Sequence, residues 1–230
     1  MCDTFSLSHE QEQIIFGGLF GDCYFNNKKN IIRFSHSEKQ LQYFLWKMNH
    51  FDLIDLHKIS ERIYPDGKYI GYTFDFVNKK NKYINLFNFI NKYFYKNGHR
   101  KISLKGLNKL DSLGLAIWWM DDGCLSVYKG NRYGKLCTHA YNYEENILIQ
   151  KYFHDHWGIN TDIKCEKGKY YFQRFNAKAL KKLISIIYKH VCEIPDMIYK
   201  IDMNYKNEKS IGTFKEIYDY IKQHNLSMEL

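Results

Sequence analysis

The sequence predicts an α+β protein of two pseudo-symmetric halves, each ordered αββαββα, whose curved antiparallel sheets flank a central two-helix interface. Three observations predict it. Leu115-Ala-Ile-Trp-Trp-Met-Asp-Asp-Gly123 is an almost wholly apolar run closed by two carboxylates and a glycine, and Ile14-Ile-Phe-Gly-Gly-Leu-Phe-Gly-Asp22 is its degenerate partner. Aligning Asp22 with Asp122 sets the two motifs 100 residues apart. The order of helical and strand-like segments after the first motif recurs after the second, and so long a unit, present twice, reads as a duplication rather than a solenoid.

Residues 1–8 read as a plain leader. Ser8-His9-Glu10-Gln11 fits a capping box, with Glu10 and Glu12 in the first turn, so a helix starts there and runs to about Gly21. Its apolar positions wrap all the way round, which marks a buried helix, and Gly17 and Gly21 leave a strip free of side chains for a second backbone. Short extended pieces follow at Cys23–Phe25 and Ile31–His36 around the polar turn of residues 26–30. Glu38–His50 returns to helical spacing, with Leu41, Phe44, Leu45 and Met48 on one face. Lys58–Tyr64 and Lys68–Val77 form a hairpin closed by Pro65-Asp66-Gly67, and Asn81–Asn97 is a helix, with Ile84, Phe87, Ile90 and Phe94 in register, stopped by Gly98.

The second half repeats the order. Asn108 and Asp111 cap a helix that runs to Asp121 and stops at Gly123. Leu125–Lys129 and Tyr133–Tyr141 pair across Gly130-Asn131, Glu144–Trp157 is a helix, and Thr161–Glu166 and Lys169–Phe175 pair across Lys167-Gly168. Ala177–Val191 is a helix, and a tail from 192 to 230 is helical over Ser210–Asn225. Residues 1–105 and 106–230 are the expected halves. Trp118 and Trp119 are expected in the core.

Of 230 residues 45% are hydrophobic, enough for a sizeable core and against disorder. Lys and Arg number 34 against 25 Asp and Glu, a net charge of +9, and 17% of residues are aromatic. Basic side chains neutralise phosphates and aromatic rims pack on sugars and bases, so this balance favours a polyanion, although charge alone fits an ordinary basic protein equally well. The six cysteines come no closer than Cys124 and Cys137, so there is no C-x-x-C zinc knuckle. Unpaired thiols without a signal peptide point to an intracellular protein, in a bacterial or phage-infected cytoplasm or an organelle matrix, rather than a secreted one. No apolar run is long enough for a bilayer, so the expectation is a soluble monomer with no membrane partner.

If the helices that begin near His9 and Lys109 pack in parallel, Asp22 and Asp122 arrive together. Carboxylates at ~4 Å repel by roughly 1–4 kcal/mol, and the helix C-termini add negative potential. A hard divalent ion, Mg²⁺ by preference for oxygen ligands and phosphates, relieves this. Such an ion polarises phosphorus, lowers the pKa of a water and neutralises a departing oxygen. One acid per half suits one cut per strand of a duplex, and two-stranded ribbons fit the major groove.

At these residues the chain resembles the LAGLIDADG homing endonucleases in their single-chain, two-motif form, over roughly residues 8–200, with Leu115–Gly123 the more specific motif. The resemblance implies cleavage of long double-stranded DNA sites, a host intron or intein, and a central LAGLIDADG helix pair. It implies that Asp22 and Asp122 are catalytic metal-binding acids and that the backbone carbonyls of Gly21 and Asp121 are further ligands of Mg²⁺, or of another divalent ion such as Mn²⁺ or Ca²⁺. Cys23 departs from the motif's closing glycine, and Ile117 stands where Gly17 stands in the first motif, so a lopsided helix interface is expected. An RNA-binding maturase acting on its own intron RNA, or an inactive DNA-binding protein, are the alternatives on this scaffold.

Asp121 is expected to be solvated or to support its neighbour from outside the central site. Lys82 and Lys182, near the starts of the last helix of each half, are candidates to reach the scissile phosphate. Arg33, Arg62, Lys129, Arg132, Lys135, Lys164 and Arg174 lie on or beside strands and are candidates for DNA contact as a set. Arg62-Ile-Tyr64 with Tyr69-Ile-Gly71 mimics a GIY-YIG signature but reads as a hairpin, and His154-Asp155-His156 reads as a solvated helix face.

Overall fold

The computed structural model describes residues 5–52, 56–63, 70–128 and 131–202. The Pro65-Asp66-Gly67 turn, Lys129 and the Ser210–Asn225 helix lie outside the described residues. The first half contains α1 (His9–Phe20), β1 (Tyr24–Asn26), β2 (Ile31–Ser37), α2 (Leu41–Asn49), β3 (Leu56–Ile63), β4 (Ile70–Val77) and α3 (Ile84–Tyr93). Between the halves lie a small hairpin, β5 (Tyr95–Lys96) with β6 (His99–Arg100), and the single turn α4 (Leu104–Leu107). The second half contains α5 (Ser112–Asp122), β7 (Gly123–Tyr128), β8 (Asn131–Leu136), α6 (Tyr143–Trp157), β9 (Asp162–Glu166), β10 (Tyr170–Phe175) and α7 (Ala177–Cys192). A 3-10 segment, Pro195–Lys200, follows.

The two antiparallel sheets have the same order, β1-β2-β4-β3 and β7-β8-β10-β9, as a duplicated unit demands. Alternation sets their faces: on β2, Ile32, Phe34 and His36 are buried while Arg33, Ser35 and Ser37 stand on the more open side. The caps expected at Ser8 and Asp111 are present, whereas Asn108 closes α4 instead of opening α5, and Asn142 adds a cap beyond those expected. Ser8 and Gln11 form a capping box on α1, Asn142 and Glu145 form another on α6, and the Asp111 carboxylate accepts from the N–H groups of Leu113 and Gly114.

α1 and α5 are buried nearly all round, and their contacts run in parallel from one end to the other. Gln13 bridges to the Lys109 carbonyl (2.9 Å) and the Asp111 N–H (3.0 Å); a Cβ on Gly17 would meet the Gly114 carbonyl and lie 2.7 Å from the Ile117 Cβ. Gly21 then faces the Asp121 side chain, and the Asp22 N–H donates to Asp121 Oδ2 at 3.1 Å. The interface is lopsided as expected, with glycine on α1 receiving isoleucine from α5. Gly17→Ala should therefore force the helix pair apart and cost about 1–3 kcal/mol, measurable as a lower thermal midpoint.

Trp118 and Trp119 are core residues, with Trp118 against Phe20 and Phe153 and Trp119 edge-on to Phe175. Three sequence expectations change. Phe5 belongs to the core, packed on Phe16 and Phe89, rather than to an idle leader. α2 is rotated from the expected face: Phe44 is buried as expected, but Tyr43 and Lys47 are buried beside it while Leu41 and Leu45 are exposed. α3 ends at Tyr93, not Asn97, because Asn97 (φ 53°) and Gly98 (φ 79°) make the left-handed two-residue turn that folds β5 onto β6.

Candidate functional site

The site lies where α1 and α5 end. Asp22 keeps open surface, yet the protein packed around its carboxyl, and then the charge of Asp121, push its pKa up to about 6 against the pull of Lys47, Lys200 and Arg100. Asp122 is half-buried, and burial, then the charges of Asp22 and Asp121, push it up to about 8. Both helices thus deliver an acid to one small region, as the 100-residue spacing predicts.

Of the two expectations for Asp121, solvation fails and support of a neighbouring acid fits, through the Asp22 N–H. Its carboxylate is buried, not solvated, and both oxygens are hydrogen-bonded: Oδ1 accepts from the Lys47 ammonium (2.8 Å) and the Tyr43 hydroxyl (2.9 Å), and Oδ2 from the Asp22 N–H. The Lys47 ammonium also lies 3.1 Å from His36 Nε2 and 4.1 Å from the centroid of the Tyr43 ring. Burial, and next Lys47, push His36 down to about 3, so its ring is neutral and accepts from the ammonium. Ligand atoms of Asp22, His36 and Asp121 lie within 4.8 Å of one another, the spacing of a metal-binding trio. Lys47 is the cation already bonded to two of the three. The open carboxylates are those of Asp22 and Asp122.

Two further cations sit on the helix ends and are themselves 100 residues apart. Arg100 Nη1 donates to the Gly21 carbonyl at 2.6 Å, and Nη2 donates to that of Cys23. Lys200 donates to the Gly123 carbonyl at 2.8 Å and approaches that of Asp121 at 3.4 Å. Each neutralises the negative end of one motif helix. The carbonyls of Gly21 and Asp121, expected as metal ligands, are therefore acceptors of a guanidinium and an ammonium. Trp119 fixes the Lys200 segment, its indole N–H donating to the Lys200 carbonyl at 3.0 Å.

Lys82 and Lys182, the candidates to reach a phosphate, each have a local contact. The Lys82 ammonium lies over the Tyr83 ring, and that of Lys182 donates to the Gly158 carbonyl at the end of α6. Sequence reasoning missed Arg100 and Lys200, and missed Lys47, Tyr43 and His36. Asn97-Gly98 is a strong hairpin signal that would have put Arg100 on a strand, and the spacing of Arg100 and Lys200 repeats that of the acids.

Among the strand candidates, Arg33 forks onto Asp75 directly opposite it (2.6 and 2.8 Å), and Arg174 holds Asp162 opposite it (2.9 Å). Lys135 pairs with Glu166 (2.7 Å) and covers the Phe172 ring, and Lys164 is exposed. Arg132 is only 4% exposed, which turns it away from an open face. Arg62 is a backbone position on β3 opposite Gly71. The His154-Asp155-His156 run is exposed, with Asp155 held by Lys151 and His154.

A model of the LAGLIDADG DNA endonuclease family matches residues 12–183. The chain belongs to the LAGLIDADG DNA endonuclease family. A probable intron-encoded DNA endonuclease of Mycosarcoma maydis is 29% identical over 141 residues, 59% of this chain and 96% of that protein. Protein RecA of Mycolicibacterium flavescens is 25% identical over 90% of this chain and 49% of its own length, so the chain spans about half the length of that relative. The structure is similar to that of the homing endonuclease I-WcaI bound to its DNA recognition sequence, with a TM-score of 0.71, 23% identity and coverage of 85% of this chain and 87% of that one. The LAGLIDADG fold thus accounts for the two sheets, the helix pair and the meeting of the acids. Among the described residues no helix is long and apolar enough to cross a membrane.

Proposed function

We propose that this family member is a site-specific homing endonuclease that cuts double-stranded DNA by divalent-metal-assisted phosphodiester hydrolysis. On this reading it acts as a monomer inside the cell and is encoded within an intron or intein. One observation carries the proposal: two acids on parallel helix ends, each raised by burial and by the other's neighbourhood of negative charge. An arrangement that disfavours its own ionised form fits a cation between the acids.

The donor set supports a hard divalent ion, with Asp22 and Asp122 as its carboxylate ligands and Mg²⁺, Mn²⁺ or Ca²⁺ as candidates. When bound, the ion supplies Lewis-acid polarisation of a phosphate oxygen. The remaining work belongs to side chains of this protein. Asp121, locked by Lys47 and Tyr43, holds the Asp22 backbone in place through the Asp22 N–H. Arg100 and Lys200 hold the carbonyl ends of the two helices. Arg33 and Arg174, oriented by Asp75 and Asp162, present guanidinium groups on the sheets for phosphate and base edges.

The test is cutting of a randomised-target plasmid library by the full chain, with Mg²⁺ or with a chelator. Cleavage only with Mg²⁺, lost in Asp22→Asn, is the expected result. A folded wild-type protein that cuts no member of the library with any of the three ions would overturn the reading.

A further inference from the structure

The positive charge of the chain is concentrated in one stretch. Between Asp75 and Asp111 there is no Asp or Glu, and that span holds eight lysines and one arginine, as much charge as the net +9 of all 230 residues. Three of these lysines form a row. The Lys92 and Lys105 ammonium groups lie 5.3 and 4.8 Å from the centroid of the Tyr93 ring, and those of Lys105 and Lys109 lie 5.7 and 5.0 Å from that of Phe89. Lys109 also lies 5.0 Å from the Phe5 centroid. Because neighbouring cations share a ring, the three ammonium groups stand one after another over an aromatic floor. Lys92 and Lys105 are exposed, Lys109 and Tyr93 are half-buried, and Phe89 and Phe5 are buried beneath them.

The row points away from the open side of the sheets. α3 covers the inner face of the first sheet, with Phe87 5.4 Å from Phe25 of β1 and Tyr83 4.8 Å from Phe76 of β4. Tyr24, directly opposite Arg33, is 52% exposed on the other face. Lys92, exposed on α3, is thus separated from Arg33 by the sheet and by a helix roughly 10 Å across. At the other end of the row Lys109 precedes α5, whose acids lie at its far end, roughly 17 Å along it. Carboxylates approach at this end: Glu12 feels the charge of Lys109, and Asp111 is tied to His9 at 2.6 Å.

We propose that the row of Lys92, Lys105 and Lys109 is a second, sequence-independent binding surface for duplex DNA, which holds another DNA segment while the sheets hold the target. α3 and α4 carry no carboxylate, so their line of ammonium groups matches the line of phosphates on a strand, and binding releases the counterions condensed there. The rings favour a duplex over single strands. Unpaired bases bind by stacking on open aromatic faces, whereas the lysines cover Tyr93 and Phe89, so the row offers charge without a stacking platform. Duplex DNA stays stiff over about 150 base pairs, so the segment on the sheets does not bend round to the row. Binding of a duplex by the row stands without the nuclease reading, whereas holding target and second segment together rests on it.

The experiment immobilises a target duplex selected from a randomised library, loads it with the full chain in a chelator, and adds a short labelled duplex of unrelated sequence. The expected result is capture of the labelled duplex by the wild type, a loss of about tenfold or more in Lys92→Gln/Lys105→Gln, and retention in Lys92→Arg/Lys105→Arg. The slope of log affinity against log salt should fall by about 2 in the glutamine variant, close to 0.9 for each phosphate contact removed. All three proteins should cut the target at the same single-turnover rate in Mg²⁺. Undiminished capture by the glutamine variant, equal loss in the arginine variant, or preferential capture of single-stranded DNA or RNA would overturn the proposal. So would slower target cutting by the glutamine variant, which would put the row on the path of the target itself. If the immobilised duplex retains no protein, the nuclease reading fails; fluorescence anisotropy of the labelled duplex with the free glutamine and arginine variants then decides the row by the same slope.

Discussion

Lys47→Met should lower the unfolding free energy by about 3–5 kcal/mol, read as a lower urea midpoint, because it strands a buried carboxylate. The Lys47 and Asp121 side chains are both fully shielded from solvent, and the ammonium serves Asp121 and His36 at once. Methionine fills much of the volume but leaves Asp121 with the Tyr43 hydroxyl and one N–H. Adding Asp121→Asn removes the uncompensated charge, so the double variant should regain most of the loss, a coupling that additive defects cannot produce.

The pH dependence of the same pair has a definite sign. Burial pushes the Asp121 carboxyl up, but Lys47 and then His36 pull it down further, to a net value below 3.8. A depressed acid contributes stability that is present above its unfolded value and lost as the pH falls through its folded value. His36 acts in the same direction, since it is held neutral to about 3 against an ordinary 6.5, so stability falls as the pH drops through that window. Without Lys47, burial dominates Asp121 and raises its pKa. The deficit of Lys47→Met should therefore shrink as the pH approaches 4, where the stranded carboxylate takes up a proton. A deficit that is constant between pH 7 and pH 4 would rule out the buried charge as its cause.

How much of this was legible in the sequence depends on which rule governed each residue. The buried helix pair was legible because an all-apolar run ended by an acid has few readings, and Ser8 and Asp111 cap where short-range chemistry says they should. The acids were legible because a repeat puts equivalent residues at equivalent places. α2 was misread for a physical reason. Its apolar spacing favours Leu41 and Leu45, but Asp121 requires a hydrogen-bonded cation, and satisfying that buried charge turns Tyr43 and Lys47 inward instead. No pattern within α2 announces a partner on α5. Lys200 lay hidden for a similar reason: the 3-10 segment is placed by contacts from distant elements, with the Asp196 carboxylate accepting from the Gln42 N–H at 2.8 Å and Trp119 bonding to the Lys200 carbonyl. Arg100 was within reach, because Asn97-Gly98 is a turn signal that helical periodicity over residues 81–97 outweighed.

Asp122→Asn should slow cutting by several orders of magnitude and stabilise the protein, and the two effects share one cause. Burial, then Asp22 and Asp121, raise the Asp122 carboxyl from 3.8 to about 8. For an acid raised in the folded state, the folded form holds a proton that the unfolded form has released, so its contribution is full below 3.8 and is lost as the pH rises through about 8. Asparagine keeps the shape without ever ionising. Its advantage should be small near pH 5 and reach on the order of 2 kcal/mol above pH 8, after discounting for the solvent that Asp122 still touches. Loss of a metal ligand removes several kcal/mol of transition-state stabilisation, so cutting should fall about a thousandfold. Mg²⁺ provides the discriminating measurement. An ion that binds the folded acids raises the melting temperature of the wild type in proportion to its occupancy, and should do so far less in Asp122→Asn. The stability gap between the two proteins should therefore close as Mg²⁺ is added. Equal stabilisation of both by Mg²⁺ would place the ion somewhere other than between Asp22 and Asp122, and the repulsion of the two acids would then need a different explanation.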